Sequence, residues 1–201
     1  MGTALPFDAV TPTAPLQLLK DWLDHARSAG VAEPHAVAFV TVGAEGRPTA
    51  RTVVLKRLEE DALVFTSALW TRKVRELAQN PHVALLFYWP TVGRQVHVAG
   101  RASVAERALA EALFDERELS HRVQTLVSRQ GEPIDSVEPL RAHHAHLMGA
   151  LEAPPECPSD WGALRVHPDA MEFWEQAPDR MHDRWLYERD NDGWRLARLA
   201  P

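Results

Sequence analysis

The chain has 201 residues, 45% of them hydrophobic and 25% charged, with a formal net charge of −6. Those figures describe one globular domain able to bury a substantial core, and they argue against a general affinity for nucleic acid or an acidic membrane. A single cysteine, Cys157, excludes an intramolecular disulfide and agrees with a reducing cytoplasm, while no signal peptide and no apolar run of the roughly 20 residues that span a bilayer is read anywhere.

Residues 1–14, with Pro6 and Pro12 among small and polar neighbours, read as a mobile arm, which leaves 15–201 as the domain. Pro15 opens a helix in which Leu16, Leu19, Leu23 and Ala26 recur at helical spacing, and Gly30 stops it. Strands follow at Ala36–Val42, Thr49–Leu58 and Ala62–Ser67; the short turns between them make an antiparallel meander. Thr71 caps a helix that Asn80-Pro81 ends, and Val83–Trp89 and Gln95–Val104 are two further strands. Ser103 and Glu106 form a capping box for a helix over Ala105–Leu119. Residues 120–134 carry no clear pattern, and another helix runs from about Val137 to Leu151. Beyond a loop at 153–160 come strands Ala163–Val166 and Met171–Trp174, then a hairpin of Trp185–Arg189 and Trp194–Leu199 around Asp190–Gly193. This is a strand-dominated α+β domain of about six to eight mainly antiparallel strands, for which a small closed barrel is the natural way to remove sheet edges. Neither a Rossmann nor a P-loop unit is present.

The basic residues cluster although the chain is acidic. Arg180, His182 and Arg184 stand at alternate positions after Glu172-Phe173-Trp174. In an extended segment they would share a face beside an indole, which suits an anionic planar ligand; a solvated edge strand accounts for the same spacing. Arg51 and Lys56 are an odd number of positions apart and fall on opposite faces of a regular strand, so both reach one ligand only if that strand bulges or the ligand wraps its end. Thr71-Arg72-Lys73 at a helix start, with Thr66 and Ser67 at the preceding strand end, would seat a phosphate, or else form a solvated first turn. The amide of Gln95 points inward and needs partners, from backbone or from a heterocycle edge. His143, His144 and His146 read as a solvated helix face, with no metal expected.

The segments Arg51-Thr-Val-Val-Leu-Lys56, Thr71-Arg-Lys-Val-Arg-Glu-Leu77, Leu85-Leu-Phe-Tyr-Trp-Pro90, Gly93-Arg-Gln-Val96, Trp161-Gly162, Glu172-Phe-Trp174, Arg180-Met-His-Asp-Arg184 and Trp194-Arg-Leu-Ala-Arg-Leu-Ala-Pro201 cover nearly the whole chain after the arm. In series they resemble the pyridoxine/pyridoxamine 5'-phosphate oxidase family of FMN enzymes. The resemblance implies a mainly antiparallel split β-barrel with peripheral helices, forming a cytoplasmic homodimer with FMN at the subunit interface. It implies FMN contacts from Arg51, Val53, Lys56, Thr66, Ser67, Arg72, Lys73, Gln95, Gln130, Trp174 and Arg184. For the substrate it implies Lys56, Arg180 and His182, with Arg117 in place if its helix aligns without gaps.

A Tyr position of the family holds Leu113 here and a Ser position holds His121. Leu113 has no donor, and losing such a partner weakens phosphate recognition by about 1–3 kcal/mol. The implied activity is oxidation of pyridoxine or pyridoxamine 5'-phosphate to pyridoxal 5'-phosphate, with O2 reduced to H2O2 and with Arg180 and His182 orienting the reacting carbon. Residues 128–130 and an apolar Leu113 also resemble the same-fold flavin oxidases of phenazine biosynthesis, which would take a dihydrophenazine-like or other aromatic acid. A flavin-binding protein without turnover is the remaining alternative. Implied partners are an anionic aromatic small molecule, O2 and a second copy of the chain, with no nucleic acid and no membrane.

Overall fold

The computed structural model describes residues 15–191 and 193–201; the arm expected at 1–14 lies outside the described residues, as does Asp192 in the final turn. Helix α1 (Pro15–Ser28) forms as its spacing demands, with Leu19, Trp22, Leu23 and Ala26 buried and Gly30 following in the left-handed region. Nine strands then build one antiparallel sheet: β1 (Ala36–Val42), β2 (Pro48–Val54), β3 (Arg57–Leu58), β4 (Leu63–Ala68), β5 (His82–Trp89), β6 (Arg94–Val104), β7 (Trp161–Glu175), β8 (Asp183–Asp190) and β9 (Gly193–Arg198). Helix α2 (Arg72–Leu77) lies between β4 and β5; α3 (Arg107–Asp115), α4 (Leu119–Val127) and α5 (Glu138–Ala150) lie between β6 and β7. No described helix is long and apolar enough to cross a membrane.

The sheet runs β2-β1-β5-β6-β7-β4-β3, with β8 and β9 branching from β7. Its two ends are consecutive in the chain. The strand expected over Thr49–Leu58 breaks at Leu55–Lys56: Leu55 N–H donates to His35 O (2.9 Å), on the β1 side, and Lys56 N–H donates to Val64 O (2.8 Å), on β4. β2 therefore pairs with β1, and β3 with β4, at opposite ends of the path. The meander expected through Ser67 does not form, because β4 takes β7 as its other neighbour. The sheet curls into a split barrel whose seam is crossed by the chain rather than by a ladder.

Two late strands expected apart, Ala163–Val166 and Met171–Trp174, are one strand, β7. Its first half pairs with β4 and its second with β8 along the same edge. The exchange happens at a bulge: Ala99 faces Ala170 but Gly100 faces Pro168, leaving Asp169 over. Glycine is required there, since a Cβ on residue 100 would stand 2.3 Å from His167 O.

The main core fills the concave side of the sheet under α1, where Trp22 meets Phe173 edge-on (5.2 Å) and Phe39 meets Phe65 (5.3 Å). A smaller core lies on the outer face of β4 and β7, where α3 lays Leu109, Leu113 and Phe114 against Val64, Trp161 and Ala163. The helix expected over Ala105–Leu119 is two helices. Its capping box is absent because Ser103 belongs to β6, while the Glu106 carboxylate is taken by Arg165, which also binds Glu59 (2.6 Å). The ambiguous stretch at 120–134 contains most of α4. On the outer face Val54, Leu86 and Tyr88 remain exposed.

Candidate functional site

The first group of expected residues assembles at the inner, concave side, around β1, β2, β4 and α2. Arg51, opposite Phe39, donates to Phe39 O (3.1 Å), Thr41 Oγ1 (2.6 Å) and Thr49 Oγ1 (2.7 Å). The organising residue is Glu76, which was not singled out from sequence. Its carboxylate accepts from Thr41 (2.5 Å), Thr49 (2.7 Å) and Arg72 (2.7 Å) and stands 3.6 Å from Arg51. Burial alone would raise its pKa, but the bonds from Thr41, Thr49 and Arg72 hold it down at about 2. The only sequence signal for it is the spacing Arg72–Glu76, one helical turn.

Lys73 completes this group. Its side chain is buried, and its ammonium donates to Ser67 Oγ (2.8 Å) and Thr71 Oγ1 (3.3 Å). No carboxylate pairs with it among the described residues. Burial, then the neighbouring Arg51, pushes its pKa down to about 8. A buried ammonium held only by hydroxyls is an incomplete arrangement that an anion completes. The expected Thr71 side-chain cap is absent: the hydroxyl donates to Ala68 O (2.8 Å) and meets Ser67 instead. The side chains, and not the six-residue α2, make this seat. Val53 is half-buried on the inner face of β2, whereas Thr66, between Phe65 and Ser67 on β4 and opposite Ala163, falls on the outer face, away from the seat.

The second group lies on the outer face. Gln95, opposite Trp174, and Trp174, opposite Arg184, form one row across β6, β7 and β8, with Tyr88 next to Gln95 on β5. Gln95 thus points away from the core, against expectation, because Arg94, Val96 and Val98 take the buried phase of β6. Arg184 is bound to Glu172 (2.8 Å) and donates to Ala200 O (3.1 Å).

The alternation expected for Arg180, His182 and Arg184 does not occur. β8 starts only at Asp183, and Arg180 sits in a turn at φ 68°, left-handed and the one non-glycine so placed among the described residues. His182 is kept close by another route, its ring 4.7 Å from that of Trp174.

The remaining expected residues are dispersed. Lys56, exposed at the barrel seam, borders a cavity of about 670 Å3 between α1 and the β2–β3 junction. Arg57 beside it is ion-paired with Glu116, which brings the seam to the α3–α4 junction. Arg117 stands in that junction, not in a continuous helix. It donates to Thr125 (2.5 Å) and lies over Trp161 (5.2 Å), and burial lowers its pKa. His121 is exposed on α4. Leu113, expected to wall the substrate pocket, is only 4% exposed and packs in the smaller core. Gln130 is exposed in a loop, its carbonyl accepting from Trp70 Nε1 (3.3 Å). His143 and His146 are exposed on α5, and His144 meets Ser120 O (2.9 Å).

Comparison with known proteins agrees with this architecture. The family profile described as pyridoxamine 5'-phosphate oxidase matches residues 23–145, and one described as the pyridoxine 5'-phosphate oxidase C-terminal dimerisation region matches 161–201. The chain is 41% identical over 188 residues to the pyridoxine/pyridoxamine 5'-phosphate oxidase of Rubrobacter xylanophilus, covering 93% of this chain and 87% of that protein. It is 40% identical to the Burkholderia vietnamiensis protein of the same name over 90% of this chain and 86% of that one. Among solved structures, PhzG from Burkholderia lata in complex with tetrahydrophenazine-1-carboxylic acid superposes with a TM-score of 0.92 at 31% identity, covering 100% of this chain and 99% of that one. A pyridoxamine 5'-phosphate oxidase-related, FMN-binding protein from Nostoc punctiforme shares the fold, with a TM-score of 0.79 at 22% identity over 95% of this chain and 100% of that one.

Proposed function

The chain belongs to the pyridoxamine 5'-phosphate oxidase family, and from that premise we propose that it is a homodimeric, FMN-dependent oxidase of pyridoxine or pyridoxamine 5'-phosphate. The observation that carries this reading is Lys73, a buried ammonium without a carboxylate beside Arg51 and Ser67. A flavin phosphate supplies the missing anion, and Arg51, Ser67, Arg72 and Lys73 would hold it. Gln95, Trp174, Arg184 and Gln130 would meet the ring system. FMN, when bound, supplies the two-electron acceptor, with O2 as the final oxidant and H2O2 as the product.

The anion seat is on the inner face of the sheet and the Gln95–Trp174–Arg184 row is on the outer face. One chain presents them in opposite directions, and no hydrogen bond, ion pair or ring contact among the described residues links them. Two copies related by a two-fold axis would bring the row of one to the seat of the other. The exposed Leu86 and Tyr88 on the outer face and the match of 161–201 to a dimerisation region support that assembly.

On the substrate side, Lys56, Arg117 and His121 would hold the substrate anion, and Arg180 and His182 would orient the reacting carbon. A second reading rests on the likeness to the Burkholderia lata protein, at 31% identity and a TM-score of 0.92. An aromatic carboxylic acid, the ligand class of the Burkholderia lata protein, would then be the substrate. Anaerobic titration of the purified protein with pyridoxamine 5'-phosphate separates the two. Bleaching of the yellow absorbance, with its return and peroxide release on admitting air, is expected. A band that bleaches only with a reduced aromatic acid moves the assignment to the second reading, and a colourless protein that takes up no FMN overturns both.

A further inference from the structure

The loop from β7 to β8 is tied to itself and to His182. Arg180 N–H donates to Ala177 O (3.1 Å), closing a turn over residues 177–180, and Met181 N–H donates to Asp179 Oδ1 (2.9 Å). Ala177 N–H donates to His182 Nδ1 (3.1 Å). The ring is also held against Trp174 at 4.7 Å, the two planes tilted by 50°. The imidazole is thus fixed by the main chain at one nitrogen and by an indole along its side.

A main-chain N–H can only donate. Nδ1 must therefore accept, and a proton on Nδ1 would set two hydrogens against each other. The ring so held carries its proton on Nε2, the nitrogen left over for a ligand. We propose that His182 meets the substrate as a hydrogen-bond donor through Nε2–H, with the N–H of Ala177 as the positioning group, and not as the acceptor of a substrate proton. The ligand atom it fits is an uncharged or anionic oxygen or a nitrogen with a free lone pair. A ligand group that only donates is refused at that point. The identity of the substrate rests on the oxidase reading above; the placement of the proton does not.

The test uses FMN-loaded protein labelled with 15N in histidine only, with the His182 signals identified by their loss in His182→Gln. The expected spectrum has Nδ1 unprotonated and Nε2 protonated, unchanged when the product-like pyridoxal 5'-phosphate is added. A proton on Nδ1 overturns the proposal. Kinetics give the second arm. In His182→Gln the amide N–H replaces Nε2–H, whereas in His182→Asn the amide reaches only to Nδ1. The Gln variant should keep kcat within about tenfold of the parent and the Asn variant should lose about a hundredfold, both holding flavin as tightly as the parent. Asn performing as well as or better than Gln overturns the donor role. If the parent protein oxidises no candidate at all, the oxidase reading falls while the spectrum still decides where the proton lies.

Discussion

The inner-face seat and the β7–β8 loop both present cationic side chains, yet they are built differently. In the seat, Glu76 ties together Arg51, Arg72, Thr41 and Thr49, so these groups are satisfied before any ligand arrives. Only the buried Lys73 is left uncompensated. In the loop, Arg180 is exposed, its guanidinium has no hydrogen-bond or ion-pair partner among the described residues, and its backbone stands at φ 68°. Such a conformation costs a non-glycine residue about 1–2 kcal/mol. The seat is organised in advance to hold one group permanently, whereas the loop keeps a cation free for a ligand that comes and goes.

The sharpest way to break this contrast is Lys73→Met. Loss of a buried charged partner should weaken FMN binding by about 30-fold to a few thousandfold, from about 2–5 kcal/mol. It should also raise the melting temperature of the flavin-free protein, because a desolvated ammonium is gone. Flavin titration and calorimetry check both, and a variant that holds FMN normally would sink the phosphate seat. The pH dependence follows the same residue. A bound phosphate favours the ammonium, so affinity should be full below about pH 8 and fall by up to about tenfold per unit above it. In the flavin-free chain, unfolded Lys73 keeps its proton up to about 10.5 while the folded residue releases it near 8, so stability should rise between those values. Lys73→Met should flatten both slopes.

Arg180→Ala acts on the other region. It should leave flavin affinity unchanged and lower kcat/KM by about a hundredfold through lost positioning; steady-state kinetics with unimpaired flavin content is the check. Glu76→Gln should weaken FMN about tenfold by freeing Arg51 and Arg72, again by titration. If affinity rose instead, Glu76 would be repelling the phosphate and not orienting its partners. The smallest effect is expected at Leu113→Tyr. A hydroxyl and extra volume in the α3 core should cost about 1–3 kcal/mol of stability without improving use of a phosphorylated substrate.

Much of the barrel could be read in the chain, because the period of burial in β1, β5 and β6 is two and local turns mark their ends. What escaped depends on residues far apart in sequence. Leu55 and Lys56 look like strand interior, and only their separate partners, His35 and Val64, break the run. Glu106 looks like a capping residue until Arg165 claims it. Trp161–Glu175 reads as two strands because Pro168 interrupts it, although β6 pairs across that interruption from Leu164 to Glu175. In the site, the cationic residues were visible by type, but Glu76 was not. Its role is set by Thr41 and Thr49, which reach it from two strands. The geometry of Arg180 was misread because alternation presumes an extended backbone that the turn denies.

β7 also sets the order in which this molecule can assemble during synthesis. The residues of the anion seat, from Phe39 to Glu76, leave the ribosome well before Trp161. Until Trp161–Glu175 follows, however, β4 has only the two residues of β3 beside it and one edge of β6 is bare. A nascent chain halted at the loop before Trp161 therefore carries two open strand edges, β4 rich in valine, leucine and phenylalanine, which are the kind that recruit strands from other chains. The long sequence separation between β4 and β7 makes their pairing a late and slow event. The final fifth of the polypeptide thus has a second duty besides carrying the Trp174 row: it ends the interval in which the half-made barrel is sticky.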